Sequence, residues 1–129
     1  MAFDLDGLPE GVLAFLAERH LAILTTLERD GRPHVTAVGF TFDAGERLLR
    51  IITSGDSRKA HNARRGGRAA VGQVDGPRWL SLEGPVQVTE DPARVARAVA
   101  DYTRRYRPPR ENPKRVALEI HVERILGRV

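Results

Sequence analysis

The segment Thr53-Ser54-Gly55-Asp56-Ser57-Arg58-Lys59-Ala60-His61-Asn62 gathers hydroxyls, a glycine and cations where a β-rich run gives way to a helix. A helix start presents unpaired N–H groups and a partial positive charge of ~0.5, which together attract anions. Gly55 lets the backbone come close to a guest, Ser57 offers a hydroxyl, and Lys59 supplies a mobile point charge. Asn62 lies about one turn further along the same face. The chain has only two lysines, Lys59 and Lys114, among 21 basic residues. A lysine at the positive end of a helix runs against the dipole unless an anion neutralises both, so the spacing points to a phosphate site. The competing reading is a solvated, arginine-rich helix face.

Other chemistry is poorly represented. There is no Gly-x-Gly-x-x-Gly, no Gly-x-x-x-x-Gly-Lys-Ser/Thr and no Gly-x-Ser-x-Gly, which argues against a Rossmann domain, a P-loop and a hydrolase elbow. The absence of cysteine excludes disulfides, thiolate-ligated metals and thiol nucleophiles. The histidines His20, His34, His61 and His121 are scattered with no two at helical ligand spacing, so no metal site is expected. His34 opens a strand, where a lone histidine reads as structural or exposed. Gln73 and Trp79 flank a tight turn and are placed to touch a flat ring, although tryptophan serves core and interface as readily. A second basic cluster, Arg104 to Arg115, lies near Tyr102 and Tyr106 and reads as a solvated face.

These residues need a scaffold, and 129 residues suffice for one domain over 1–129. A content of 41% hydrophobic and 29% charged residues is that of an ordinary globular protein. No run approaches ~18 apolar residues and no basic leader opens the chain, so a cytoplasmic protein without a membrane partner is expected. A formal charge of +4 makes nucleic acid a candidate partner, but with 5% aromatics and no aromatic cluster on any strand a nucleic-acid-binding barrel is the weaker reading. Leu8, Val12, Phe15 and Leu16 predict a helix over 8–19. LAILTTL from Leu21 and the run from Val35 to Phe42 predict a hairpin about Glu28-Arg29-Asp30-Gly31, and LLRIIT from Leu48 predicts a third strand. A short helix from Ser57 stops at Gly66-Gly67. Strands follow over 68–74 and 79–89, the latter interrupted at Gly84-Pro85. Asp91-Pro92 starts a third helix, and VALEIHVERI over 116–125 is the sixth strand. Six antiparallel strands with connecting helices predict a mainly β fold, a small closed or nearly closed barrel.

With this pattern, the segments Gly31-Arg32-Pro33-His34-Val35-Thr36-Ala37-Val38, Ser57 to Asn62, and Arg78-Trp79-Leu80-Ser81-Leu82-Glu83-Gly84 resemble the split β-barrel flavin and deazaflavin oxidoreductases, the superfamily of pyridoxamine phosphate oxidase. The likeness runs from about Leu8 to Gly127 and is greatest to the branch that uses the deazaflavin coenzyme F420. It implies a six-stranded split barrel of the FMN-binding type and a homodimer with the cofactor in a groove between barrels. Lys59 matches the phosphate-contacting lysine, with Ser57, Arg58 and Asn62 beside it. His34, Thr36 and Ala37 match the strand along the cofactor, Thr53 the strand end leading to the phosphate, and Gln73 and Trp79 the groove. Some relatives carry arginine where this chain has Ser57, which weakens FMN as the alternative cofactor; haem is a further alternative. The implied reaction is hydride transfer from reduced F420 to a conjugated small-molecule acceptor, with biliverdin expected, and it requires no titrating catalytic residue. The coenzyme's acidic tail would be steered by Arg58, Arg64 and Arg65. Biliverdin carries two propionates, and Arg78 is the arginine expected to meet the substrate.

Overall fold

A computed structural model of the chain describes residues 2–129 and places three helices around one antiparallel sheet system. Helix α1 (Glu10–Ala17) is shorter than the periodicity predicts, because Pro9 stands at its N-cap and Glu18 turns to extended backbone. Its Val12, Phe15 and Leu16 are buried, the stripe that the spacing marks. Strands β1 (Ala22–Leu27) and β2 (Pro33–Val38) form the expected hairpin, in which Glu28 N–H donates to Arg32 O at 2.8 Å and Gly31 takes a φ of 88°. Strands β3 (Thr41–Asp43) and β4 (Leu48–Ser54) follow, then α2 (Arg58–Arg64), β5 (Arg68–Asp75), β6 (Arg78–Thr89), α3 (Pro92–Arg105), β7 (Arg115–His121) and β8 (Arg124–Arg128).

The sheet therefore has eight strands where the sequence pattern predicts six. The run over 35–42 divides at Gly39-Phe40, and its halves take different partners: β2 pairs with β1, whereas β3 pairs with β4. The run over 116–125 likewise divides at Val122-Glu123, β7 pairing with β4 and β6 and β8 returning onto β6. The interruption expected at Gly84-Pro85 is absent. Strand β6 continues through it while exchanging its second partner, β8 over Trp79 to Glu83 and β7 over Val86 to Thr89. Gly84 sits at this crossing because a Cβ there would stand 1.8 Å from His121 O, so only glycine fits.

The strand order is β2-β1-β5-β6-β7-β4-β3, with β8 on β6. The ends of this order, β2 and β3, are covalently adjacent through Gly39-Phe40 yet form no ladder with each other among the described residues, so the barrel stays split rather than closed. Phe15, Phe40, Leu24, Leu49, Leu80, Leu118 and Ile120 fill its interior and are fully buried. Each such side chain contributes about 1.5–3 kcal/mol relative to exposure. Helix α3 starts with the Asp91 carboxylate accepting from Arg94 N–H and packs on β4 and β7; its buried Asp101 pairs with buried Arg50 at 3.3 Å. No helix among the described residues is long and apolar enough to cross a membrane.

Candidate functional site

The split in the barrel creates the site. Strand β4 pairs with β7 along its whole length but with β3 only over Leu48–Arg50, which leaves one edge of Ile51–Ser54 free. Strand β2 pairs with β1 alone, so its other edge is free too. Between these edges lies a cleft of about 300 Å³, lined by Ala37, Val38 and Gly39 on one side and Ile52, Thr53 and Ser54 on the other. Free edges carry unpaired backbone N–H and C=O groups, which suit a flat heterocycle with amide-like edges. Lys59 reaches the cleft from α2, Tyr102 from α3, and Arg115 from the start of β7, with Pro109 and Asn112 of the preceding loop.

Lys59 is half-buried, and no carboxylate of the described residues lies within ion-pair distance of it. Burial pushes its ammonium below the usual lysine range. A cation that loses water without gaining a counter-ion costs free energy, and an anionic guest would offset that cost. Ser57 caps α2: its oxygen accepts from Ala60 N–H at 3.2 Å and from Thr53 Oγ1 at 3.0 Å, which leaves its own proton free to donate. Helix α2 has only seven residues, so the positive character of the cleft rests on Lys59 and Arg115 more than on aligned peptide dipoles. Arg115 is held by its bond to Arg110 O at 2.5 Å.

The structure thus brings together Ala37, Thr53 and Lys59 at the cleft, with Ser57 beside Thr53. The other expected residues lie elsewhere or are committed. Arg58 points along the far side of α2, 3.6 Å from Glu28, and borders a separate hollow with His61 and Arg65. Arg64 donates to Gly55 O at 2.6 Å. Asn62 is buried, donating to Thr26 Oγ1 at 3.0 Å and accepting from Arg65 at 2.6 Å. His34 and Thr36 lie half-buried on the inner side of β2, opposite Thr26 and Leu24, and His34 Nδ1 has no partner. Gln73 is fully buried as a structural tie: its amide donates to Phe15 O at 2.7 Å and accepts from Arg105 at 2.6 Å.

Arg78 is engaged by Glu18 at 2.7 Å and by Asp75, and lies over the Phe15 ring. Its guanidinium holds the Glu18 carboxyl below the usual carboxylate range. Glu18, His20 and Asp75 converge as three metal-type ligands, but Arg78 already supplies the cation for both carboxylates. Trp79 is exposed on the outer face of β6, opposite Val74. Along the pairing β2-β1-β5-β6 it stands three strands from Ala37, and it is not among the residues that line the cleft.

Sequence reasoning missed Arg115, Tyr102 and Gly39. Arg115 pairs in register with Ser54, which places it opposite the phosphate-like segment from 61 residues away. Gly39 is the one local signal: an isolated glycine in a strand pattern often marks close approach, and a Cβ here would stand 2.9 Å from the Tyr102 ring and 3.0 Å from that of Tyr106. These rings lie 4.9 Å apart and close one end of the cleft through Tyr102.

Comparison with known proteins agrees with this architecture. The chain is 56% identical over 120 residues to the F420H(2)-dependent biliverdin reductase of Mycobacterium tuberculosis, covering 93% of this chain and 88% of that one. Among solved structures, a conserved hypothetical protein of Mycobacterium tuberculosis superposes with a TM-score of 0.78 at 27% identity, covering 94% of this chain and 84% of that one. A protein described as an F420 reductase superposes with a TM-score of 0.75 at 26% identity, covering 92% and 98%. The family model described as pyridoxamine 5'-phosphate oxidase matches residues 8–128, nearly the whole split barrel, and the chain belongs to that family.

Proposed function

We propose that this protein is a reductase that uses coenzyme F420, with biliverdin as the conjugated acceptor. The observation that carries the reading is Lys59, a half-buried cation with no counter-ion among the described residues, set in a cleft between two free sheet edges. The relative at 56% identity, named for F420H(2) and biliverdin, supports the choice of cofactor and acceptor. Bound in its reduced form, the deazaflavin would supply the hydride for reduction of the conjugated acceptor, with solvent as the source of the proton. Lys59 and Arg115 would hold the coenzyme's phosphate, and the Ser57 hydroxyl would donate to it. The free edges of Ala37–Val38 and Thr53–Ser54 would orient the ring, so that positioning rather than side-chain acid–base chemistry supplies the rate.

The same reading includes a homodimer. The outer face of the sheet exposes Ile23, Val35, Val74 and Trp79, apolar side chains that a second copy would cover. Trp79 does not line its own cleft, and on this reading its aromatic contact would be made to the cofactor of a second copy. Titrating the purified protein with F420 and with FMN by fluorescence, then adding biliverdin to the reduced complex, tests the proposal. Tight F420 binding with loss of the biliverdin absorbance supports it. Preference for FMN overturns the cofactor assignment, and binding without turnover overturns the acceptor.

A further inference from the structure

Most arginines in this chain have a polar partner. Fourteen bond a carboxylate, a carbonyl or an amide oxygen. The other five among the described residues are Arg19, Arg29, Arg107, Arg110 and Arg128. Three of these five gather around one side chain, Tyr102. Arg19 and Arg107 border a hollow of about 370 Å³ whose remaining lining is His20, Leu21, Tyr102 and Tyr106. Arg107 and Arg110 border the neighbouring depression, again with Tyr102. Tyr102 is also a wall of the cleft that holds Lys59. A molecule seated in this hollow therefore touches the partition of the cofactor cleft.

We infer that Arg19 and Arg107 anchor the carboxylates of the acceptor, with Tyr102, Tyr106 and Leu21 providing the apolar bed for its conjugated body. This rests on the reductase reading of the adjoining cleft and replaces Arg78, whose guanidinium is already committed to Glu18 and Asp75. The chemistry of the hollow fits this class of ligand. Two exposed guanidiniums with no ion-pair partner among the described residues suit a ligand with two carboxylates, and tyrosine faces suit a planar π-system. Leu21 is 67% exposed at the rim and would be covered by such a ligand. The cleft and the hollow, at about 300 and 370 Å³, are each of a size for one small molecule, which suits a coenzyme in one and an acceptor in the other.

The test compares biliverdin with its dimethyl ester in the parent protein and in Arg19→Gln and Arg107→Gln, measuring steady-state kinetics with reduced F420, equilibrium bilin binding by absorbance, and F420 affinity by fluorescence. Each variant is expected to raise KM and Kd for the free acid about tenfold, as loss of one charge-assisted contact would. The ester should respond within twofold, and F420 affinity should not change. Equal losses for acid and ester, or no loss for the acid in either variant, would overturn the anchor. So would a parent protein that binds F420 but neither binds nor reduces biliverdin. Arginine-dependent binding of biliverdin without any F420 binding would leave the anchor standing and overturn the cofactor reading instead.

Discussion

Replacing Lys59 by methionine separates two roles that a buried lysine can have. Methionine keeps an unbranched apolar stem of similar reach and removes only the charge. In the free protein the ammonium is desolvated without a counter-ion, so its folded pKa lies below the ordinary lysine value. The charged form is thus disfavoured by folding, and this cost is present at neutral pH and fades as pH rises through the folded pKa toward the unfolded one. Lys59→Met should leave the thermal midpoint unchanged or slightly raised. With cofactor bound as proposed, the lysine would instead make a charge-assisted contact worth about 1.5–3 kcal/mol, so affinity should fall roughly 10- to 150-fold. Arg115 remains in the cleft, which favours the lower half of that range.

Fluorescence titration of F420 at several pH values, paired with thermal melts of the free protein, reads both effects. In the parent, affinity should decline on the alkaline side before the usual lysine range is reached, because binding requires the protonated ammonium. Lys59→Met should lack that alkaline decline, and comparison with the parent cancels any titration of the coenzyme itself. An affinity within threefold of the parent would refute the phosphate assignment. A midpoint lowered by several degrees would show that the lysine is structural, since about 1 kcal/mol corresponds to roughly 3–5 °C in a domain of this size.

Gly84→Ala should abolish soluble expression or cost more than ~4 kcal/mol, because its Cβ would overlap the His121 carbonyl; Gly72→Ala, with open space around its Cβ, should change urea stability by less than ~1 kcal/mol. Arg105 donates to Glu18 O at 2.9 Å, Phe40 O at 2.5 Å and Gln73 Oε1 at 2.6 Å, so Arg105→Met should destabilise by about 2–4 kcal/mol. In a urea-denaturation cycle with Gln73→Leu the losses should be less than additive, because both changes break the same bond. The proposed homodimer should have twice the chain's molar mass by light scattering and Ile23→Asp should halve it; a parent of monomer mass would remove the dimer, and a dimer mass unchanged in the variant would remove the outer face of β1 as its interface.

Elements with local signals were legible in the residues. The hairpin about Gly31, the capped start of α3 at Asp91-Pro92 and the end of β4 running into α2 all follow from neighbours within a few positions. The strand count was not legible, because hydrophobic patterning marks an extended run but not the moment at which it changes partner. Residues 35–42 alternate plausibly throughout, yet Val38 belongs to a ladder with β1 and Thr41 to one with β4. The same limit governed the site. Lys59 stood out as a rare residue type in a local motif, whereas Arg115 reaches it only through the register of β4 and β7.

Arginine shows most clearly why residue type alone does not identify a ligand contact. Arg78 lies in a segment that resembles a cofactor groove, and its sequence neighbours give no sign that Glu18, sixty residues earlier, has taken it. Arg19 and Arg107 look in the sequence like ordinary surface charges. A guanidinium keeps its charge for a ligand when no carboxylate of its own chain has claimed it, and that is a property of packing. The end of α1 delivers Glu18 and the turn between β5 and β6 delivers Asp75 to Arg78, while among the described residues no carboxylate lies within ion-pair distance of Arg19 or Arg107. On the reading proposed above, the cations without ion-pair partners among the described residues, Lys59 in the cleft and the arginines around Tyr102, would be where anions are met, and the density of positive charge along the chain does not single them out.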